Sequence, residues 1–579
     1  MKPQTRRDAA RQPGSLGERR SIVPEWLLLV VVVGAIYFAR LSEPNLRGEE
    51  TRRGRVAVEM MQTGDWIVPR QQGHLFLSRP PLQNWLIAAA GYVRSGVDDL
   101  AIRLPSVLAI LATTLLIYGY ARTCVSPVAA LVSGLAFATM IQVLVLGRLG
   151  ETEALFTLAV GGSLLMWHWG WTRSWSPYVT WGLAYVLVAC GMLLKGPQAP
   201  VFFASPVGLY LIAMRQWRSI VTWPHACGIL IFVGLWNAWQ IPYFLAVGGD
   251  ATREIYSHDV ALRFVDRSWL TLLTHVAAYP LEIAAGLLPW SPLLLVACRG
   301  SFWNWLGKSR PHAIFLLCCL VATFPTCWFT PGARGRYYMP LCPCFAVLIG
   351  LVAEHCWQSA SSLSRQSGWR RFMVCAAVAM GLAVPAAIAL QLLPQTAAFA
   401  LPWSLAVSFA VLALLLAGAA WWSAAGVTPL QRQLGPLALA SFVALAYIGP
   451  ATNIRTSISN DTARQVAALK GQLPEGVRLV SLGRVDHMFT YYYEQPIKPL
   501  EEATGAQTLP DDAEYFCYLD NRERLFDFPW EQVAAINCDR NRRAEPERVV
   551  VVARRLRGSP VATVAGHEPI TESSPAQRR

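Results

Sequence analysis

The chain has 579 residues, of which 54% are hydrophobic and only 15% are charged. This composition is too apolar for a soluble protein of several domains and predicts a polytopic membrane protein. The net charge of +14 is therefore interpreted as a membrane-surface signal. No zinc-knuckle spacing, base-stacking strand motif or basic helix indicates a nucleic-acid partner, so we expect none.

Apolar runs of about 17 to 22 residues recur from Trp26 to about Pro450, and each could cross the roughly 30 Å of bilayer hydrocarbon. Their number predicts about thirteen transmembrane helices. The least distinct run, near 82–97, is also compatible with a shorter helix along the interface. Basic residues before the first run predict a cytoplasmic tail over residues 1–25, and an odd number of spans then places the C-terminal region outside.

The predicted organisation is a transmembrane domain over 26–451, with an external loop at 42–100, followed by an extracytoplasmic domain over 452–579. In that last region, Asp461 to Leu473 has a helical period, and the next segment, 476–482, alternates like a strand. The segments 515–519 and 549–553 are further strand candidates. The predicted fold class is thus an all-α polytopic membrane protein with a small C-terminal α/β domain, which ends in a loose segment after about Ser559. Cys517 and Cys538 lie in this domain, where an oxidising compartment leaves both a disulfide and two free thiols open.

The first external loop carries two adjacent carboxylates, Glu49 and Glu50, a few residues beyond the first span and close to several arginines. A membrane enzyme could place a base beside an anion site in this way, although an ordinary solvated loop has the same composition. Glu151 is a further acidic residue at a predicted outside helix tip. Its alternative role is a favourable charge at a helix N-terminus.

Basic residues on the outside connections run against the positive-inside rule and indicate anionic ligands, lipid phosphates above all. Contact with ordinary phospholipid head groups is the alternative. Lys195 is one of only five lysines among 50 basic residues, which favours a role that needs a compact point charge over simple snorkelling to the interface.

Three linked motifs then follow one another between Leu46 and Trp85. The acidic pair precedes Thr-Arg, a segment ends in Gly64-Asp-Trp-Ile-Val-Pro69, and Arg79 precedes Pro-Pro-Leu-Gln-Asn-Trp85. Together they resemble the first external loop of bacterial membrane glycosyltransferases, the lipid A aminoarabinose transferases and the related protein O-mannosyltransferases. The resemblance implies the GT-C fold and a polyprenyl-phosphate sugar as donor.

The resemblance also implies roles for individual residues. Glu49 matches the catalytic acid and is expected to act as the base, while Glu50 and Glu151 would orient the acceptor or the sugar. His258 would be a metal ligand, but the second ligand of the family's site is Ser78 here, so a divalent metal is left open and no cofactor is required. The residues expected to bind the lipid phosphate are Arg79, Lys195, Arg263, Arg336, Tyr337 and Tyr338.

The expected function is transfer of a hexose or pentose from a polyprenyl-phosphate donor to a lipid, such as a lipid A-like molecule, or to a protein. The expected place is the external face of a bacterial inner membrane. A transporter or flippase for a polyprenyl-linked or other anionic lipid is the alternative, although the spans lack central charges and paired broken helices. A third reading is a non-catalytic assembly protein, in which the acidic residues would be dispensable.

Overall fold

The computed structural model of the protein describes residues 24–262, 268–358, 363–393, 401–501, 507, 509–510, 512–521, 526–539 and 545–556. Most of the predicted N-terminal tail and the predicted loose end after Ser559 lie outside these residues. The described chain consists of a large helical bundle followed by a small sheet with two flanking helices.

The first half of the bundle contains nine helices, counted over the described residues. The helix α4 (Asp99–Ala121) begins where the carboxylate of Asp98 accepts a hydrogen bond from the Ala101 amide. The helix α5 (Pro127–Thr139) begins with the hydroxyl of Ser126 as cap and a proline at its first position. These helices are α1 (Glu25–Phe38), α2 (Gly48–Thr63), α3 (Leu82–Arg94), α4 (Asp99–Ala121), α5 (Pro127–Thr139), α6 (Ile141–Leu146), α7 (Thr152–Thr172), α8 (Pro177–Lys195) and α9 (Gln198–Ala213).

The second half of the bundle continues with long apolar helices, and Gly248 interrupts the first of them with a non-helical backbone. A 3₁₀ turn, Gly335–Leu341, leads directly into α15. The helices are α10 (Trp223–Leu262), α11 (Trp269–Gly286), α12 (Ser291–Leu294), α13 (Gly300–Trp305), α14 (Arg310–Trp328), α15 (Cys342–Gln358), α16 (Leu363–Leu392), α17 (Trp403–Ser423), α18 (Pro429–Ala446) and α19 (Thr452–Ile458).

Eight helices within the described residues are long and apolar enough to cross a membrane, and a bent pair, α11 with α12, could form a ninth span. Three further apolar helices, α1, α5 and α9, are shorter. The outermost helices present large apolar side chains to their surroundings, such as Leu415 and Trp421 on α17, which are 65% and 59% exposed. Such a surface suits lipid better than water.

The uncertain segment near 82–97 forms α3, whose 13 residues are too few to cross the hydrocarbon core. Ile87 and Ala88 of α3 are buried against Ala57 of α2 and Ile102 of α4. The segment between α1 and α4 therefore folds as a compact layer of helices. Two short strands, β1 (Arg70–Gln71) and β2 (His74–Leu75), form a hairpin within it.

The C-terminal region contains a five-stranded mixed sheet in the order β4-β3-β5-β7-β6. Its β3 is parallel to β4 and β5, whereas β7 is antiparallel to β5 and β6. Three of these strands and one helix occupy segments that the sequence predicted. The elements are α20 (Thr462–Gln472), α21 (His487–Tyr493), β3 (Leu479–Leu482), β4 (Lys498–Leu500), β5 (Tyr515–Leu519), β6 (Trp530–Asn537) and β7 (Val549–Arg555).

Both cysteines of this region are buried and unbonded to each other. Cys517 lies in β5, opposite Val552, while Cys538 follows the end of β6, two strands away in the sheet. Neighbouring strands are about 4.8 Å apart, so this arrangement is too wide for a disulfide. The two thiols belong to the core under the sheet.

Candidate active site

One end of the bundle collects charged residues from four separate parts of the chain. The start of α2, the turn before α7, the end of α8 and the 3₁₀ turn before α15 meet there. These are the predicted outside ends of their helices. The grouping of side chains that the sequence placed on one face is therefore present in the structure.

Glu50 points away from this charged end and into the protein, where it is completely buried. Its carboxylate accepts bonds from Arg103 on α4, at 2.7 and 3.1 Å, and from the backbone amides of Arg47 and Gly150, both at 2.9 Å. Burial alone would raise the pKa of Glu50, but Arg103 and the two amides hold it below its usual value. With all its lone pairs engaged, Glu50 fixes α2 to α4 and to the turn before α7.

Gly150 makes this close approach feasible. A Cβ atom built there would lie 2.2 Å from Cγ2 of Ile102 and 2.8 Å from its carbonyl oxygen, so no larger residue fits without movement. The turn before α7 thus packs directly on α4, and its amide reaches Glu50.

The side chain of the adjacent residue, Glu49, points away from the protein interior, and 40% of it is exposed. Its carboxylate pairs with Arg52 at 2.9 Å and lies 3.9 Å from the guanidinium of Arg53. Burial works to raise the pKa of Glu49, and the positive charges of Arg52, Arg53 and Arg79 outweigh that effect and lower it. Glu49 is consequently an ionised, reachable carboxylate at neutral pH.

The turn before α7 supplies a second pair of carboxylates. Glu151 immediately precedes α7, and its carboxylate lies 3.2 Å from Nη1 of Arg336. The carboxylate of Glu153 lies 3.3 Å from Nζ of Lys195 and 3.8 Å from Nε of Arg336. Burial and the neighbouring charge of Glu153 raise the pKa of Glu151 to about 7, against the opposing effect of Arg336. Glu151 can therefore exchange a proton near neutral pH.

Lys195 and Arg336 frame Tyr337 at this place. The ring centroid of Tyr337 lies 4.9 Å from the Lys195 ammonium and 5.7 Å from the Arg336 guanidinium carbon, within the range of cation–π attraction. Tyr338 differs, because its hydroxyl donates to the Leu320 carbonyl at 2.5 Å inside the bundle. Tyr338 is thus buried away from the charged cluster, and Tyr337 is the tyrosine that lies in it.

Arg79 and Arg53 complete the described part of the cluster. Arg79 acts electrostatically on both Glu49 and Glu153. Arg53 is only 4% exposed, stacks over the ring of Phe76 at 5.1 Å, and interacts with Glu49, Glu151 and Glu153. It connects the carboxylate of the first loop to those of the turn before α7.

Two predicted ligands cannot be located in this way, since Arg263 and the side chain of His258 lie outside the described residues. Within the described part of the chain, no group of three or more His, Cys, Asp or Glu side chains is arranged to hold a metal ion. Ser78 stands where the resembling family has a carboxylate, and a hydroxyl is a poor substitute for it. Ser78 does not fit the family's second ligand, and the divalent metal stays a prediction to which no step of the reaction is assigned.

Four contributors to this end of the protein were absent from the predicted site residues: Glu153, Arg52, Arg53 and Arg103. Glu153 follows Glu151 by two residues at a helix start, and Arg53 lies one helical turn after Glu49, so both spacings were available as signals. Arg103 carried the signal of an arginine at the outer start of an apolar span. Its partner could not be named without the fold.

The chain is similar in sequence to known transferases. Residues 78–239 match the family model described as dolichyl-phosphate-mannose-protein mannosyltransferase. The chain is 29% identical over 341 residues to the undecaprenyl phosphate-alpha-4-amino-4-deoxy-L-arabinose arabinosyl transferase of Edwardsiella ictaluri, with 57% of this chain and 59% of the relative covered. A transferase of the same description from Proteus mirabilis, numbered 2 in that species, is 26% identical over 356 residues, with 59% and 61% covered. The chain thus matches about three fifths of the length of these relatives.

Among solved structures, ArnT from Cupriavidus metallidurans bound to undecaprenyl phosphate superposes with a TM-score of 0.64 at 18% identity, covering 91% of this chain and 97% of that one. The apo form of the same protein gives a TM-score of 0.61 at 17% identity, with the same coverage. The fold is therefore that of this transferase. These comparisons confirm the predicted resemblance to GT-C glycosyltransferases of the lipid A aminoarabinose transferase type.

Proposed function

We propose that the chain is a glycosyltransferase that moves a sugar from a polyprenyl-phosphate donor to an acceptor hydroxyl at the outer face of a bacterial inner membrane. The observation that carries this proposal is the convergence of Glu49 and Glu151 with Lys195 and Arg336 at one end of the apolar bundle. A base and a set of phosphate-binding cations are the two things that such a transfer requires. The relatives named above are transferases, which favours this function over a transporter.

The proposed reaction is a displacement at the anomeric carbon. The acceptor oxygen attacks that carbon, the bond to the phosphate oxygen breaks, and the acceptor's proton passes to Glu49, which is ionised and partly exposed. The lipid phosphate leaves with its additional negative charge. Because alkyl phosphate is a fair leaving group, a base and positive charge suffice for this step.

Arg79, Lys195 and Arg336 are assigned to the leaving phosphate, together with Arg263. Lys195 and Arg336 are held by Glu153 and Glu151, so the cations are already oriented and their charges are already close together. Such preorganised charge stabilises a developing anion without reorganisation during the reaction. Tyr337 keeps Lys195 and Arg336 in place by cation–π contacts.

Glu50 is assigned a supporting role within this scheme. Its bonds to Arg103 and Gly150 fix the first turn of α2, and so determine where Glu49 can reach. Glu151 would orient the donor sugar or phosphate through its contact with Arg336. When the phosphate takes the place of Glu151 beside Arg336, the raised pKa of Glu151 allows its carboxylate to take up a proton.

The membrane topology belongs to the same proposal. We propose thirteen crossings, made by the eight long helices, the bent pair, the three shorter apolar helices and α7 of the described chain. An odd number of crossings from a cytoplasmic start puts the charged cluster and the C-terminal sheet on the periplasmic side. The polyprenyl chain of the donor would then lie in the outer leaflet beside the cluster.

The transfer assay uses the full-length protein in lipid nanodiscs with undecaprenyl-phosphate sugars of two classes, an aminopentose and a hexose. Acceptors are a phosphorylated glycolipid and a hydroxyl-bearing peptide. Transfer of either sugar by the wild type, and its loss in Glu49→Gln, supports the proposal. Glu43→Gln is the matched control, because Glu43 is an exposed carboxylate paired with Arg40 in the same loop. A wild type that transfers none of these sugars would refute the proposed function.

A further inference from the structure

A histidine from the C-terminal region reaches the first turn of α2. The helix α21, which begins with this residue, packs along α2 and the neighbouring loop. Tyr491 donates its hydroxyl to the Val97 carbonyl at 2.8 Å, and the Gln72 amide donates to the Ser481 hydroxyl at 2.7 Å. The C-terminal sheet and α21 therefore dock on the loop that carries Glu49.

The side chain of this residue, His487, is buried at that contact and only 5% exposed. A Cβ atom built on Gly48, the first residue of α2, would lie 3.6 Å from its Nε2. Nε2 has no hydrogen-bond partner among the described residues. The ring thus directs an unsatisfied nitrogen at the backbone immediately before Glu49.

Charged groups surround the ring on both sides. From its own helix, Asp486 lies 3.6 Å from Nδ1, but the carboxylate of Asp486 is already held by Arg548 at 3.1 Å and by the Met488 amide at 2.8 Å. From α2, Glu49 and Arg52 act on the ring electrostatically. Burial is the largest effect on the pKa of His487 and lowers it, so the imidazole is neutral at neutral pH.

An unpaired buried nitrogen costs about 1 to 3 kcal/mol relative to a satisfied one. An apolar ring of the same size would avoid that cost, so a nitrogen at this position is explained best by a partner that it gains during function. Glu49, the residue after Gly48, is a group that can accept a hydrogen bond from Nε2–H, since its carboxylate is partly exposed and is paired with Arg52 and Arg53.

We propose that His487 is a positioning residue for Glu49, contributed by the C-terminal region and acting through Nε2 at the first turn of α2. The ring sets the direction of the Glu49 carboxylate when this is released from Arg52. The C-terminal sheet is then a component of the active site. The turnover measurement in its test rests on the proposed function, whereas the labelling of Glu49 does not.

The test compares His487→Phe, which keeps a ring and removes both nitrogens, with His487→Gln, which restores a hydrogen-bonding group. Tyr491→Phe is the matched control, since it removes a hydrogen bond of the same helix at a distance from Glu49. In full-length protein, modification of Glu49 by a water-soluble carbodiimide is quantified by mass spectrometry across pH. The pH midpoint reports the protonation of that carboxylate.

In His487→Phe, the midpoint is expected to move to higher pH, because the variant loses the Nε2–H group that a neutral imidazole can offer to the ionised Glu49 carboxylate. Turnover should fall about tenfold while KM for the donor stays within twofold, the result expected when a transition-state interaction is lost. His487→Gln should recover most of the turnover, and Tyr491→Phe should match the wild type in both measurements.

Two results would overturn the assignment. The first is a wild-type midpoint in His487→Phe. The second is an equal change in Tyr491→Phe, which would mean that loosening the contact is sufficient. If the wild type transfers no sugar, the proposed function fails, while the labelling midpoint still decides the role of His487. If His487→Phe does not fold, His487→Leu, which also removes both nitrogens, replaces it in the same comparison.

Discussion

The adjacent carboxylates Glu49 and Glu50 should respond in opposite ways to the same substitution. Glu50 is fully buried and bonded to Arg103, Arg47 and Gly150, whereas 40% of the Glu49 side chain is exposed. Glu50→Gln leaves the Arg103 guanidinium buried with a neutral partner. Removing one member of a buried ion pair costs about 3 to 5 kcal/mol, whereas an exposed pair contributes about 1 kcal/mol or less.

The cost should be visible at α2, because Glu50 is what fixes the start of that helix. Each 1.4 kcal/mol is a factor of ten in an equilibrium constant, so we expect Glu50→Gln to accelerate hydrogen exchange of the α2 amides by about two to three and a half powers of ten. Exchange in distant helices such as α17 should not change. Glu49→Gln should change exchange at α2 by less than about tenfold, yet abolish transfer.

The measurement is hydrogen exchange with mass spectrometry on purified protein, combined with the transfer assay on the same preparations. A Glu50→Gln variant with wild-type exchange at α2 and no transfer would refute the structural role of Glu50. It would restore the role that the sequence suggested, direct orientation of the acceptor or sugar. A Glu49→Gln variant that loses protection at α2 would mean that its loss of activity says nothing about a base.

Three other expectations concern the phosphate site and the topology. Lys195→Gln and Arg336→Gln should each weaken binding of undecaprenyl phosphate about tenfold or more, since a charge-assisted hydrogen bond contributes roughly 1.5 to 3 kcal/mol. Microscale thermophoresis measures the binding. The control is Arg94→Gln, at an exposed ion pair with Asp98, which should bind the lipid as the wild type does. Because the pKa of Glu151 is raised to about 7, its protonation below that pH frees Arg336 and contributes tighter binding of the same lipid there, against the weaker charge of the phosphate itself, whose second pKa is about 6. Glu151→Gln should remove that component, and an unchanged pH dependence would count against the coupling. Single cysteines at Ser95 and Glu494, two exposed outside positions, should react with an impermeant thiol reagent added to intact cells. A single cysteine at Ser174, in the α7–α8 connection, should not react. Labelling at all three positions would contradict the topology.

The sequence was informative where composition and spacing determine structure directly. Long apolar runs predicted the spans because only helices of that length can satisfy their backbone within lipid. The positive-inside rule grouped the outer ends of distant spans, and Glu151, Lys195 and Arg336 do lie together in the structure. The assignment of that end to the periplasm stays a prediction, as does the domain boundary at residue 451.

Side-chain direction was beyond the reach of the sequence. Successive side chains on a helix point about 100° apart, so Glu49 and Glu50 must face different sides of α2. The sequence pattern does not say which of the two faces the protein interior. The same ambiguity applies to Tyr337 and Tyr338, of which only Tyr337 lies with the cations. The partner of Arg103 is 53 residues away along the chain, and His487 reaches α2 only because the C-terminal sheet docks there.

The balance of charge at the site explains how it can distinguish the leaving phosphate from the bound donor. Among the described residues of the cluster, five cations face three carboxylates, so the site carries an excess of about two positive charges when all are ionised. The donor's phosphodiester has one negative charge, whereas the released phosphate monoester has about −1.5 to −2 at neutral pH. The cluster therefore interacts more strongly with the charge that develops than with the charge already present, which is the condition for lowering the barrier and not merely binding the donor. The five cations and three carboxylates are Arg52, Arg53, Arg79, Lys195 and Arg336, with Glu49, Glu151 and Glu153.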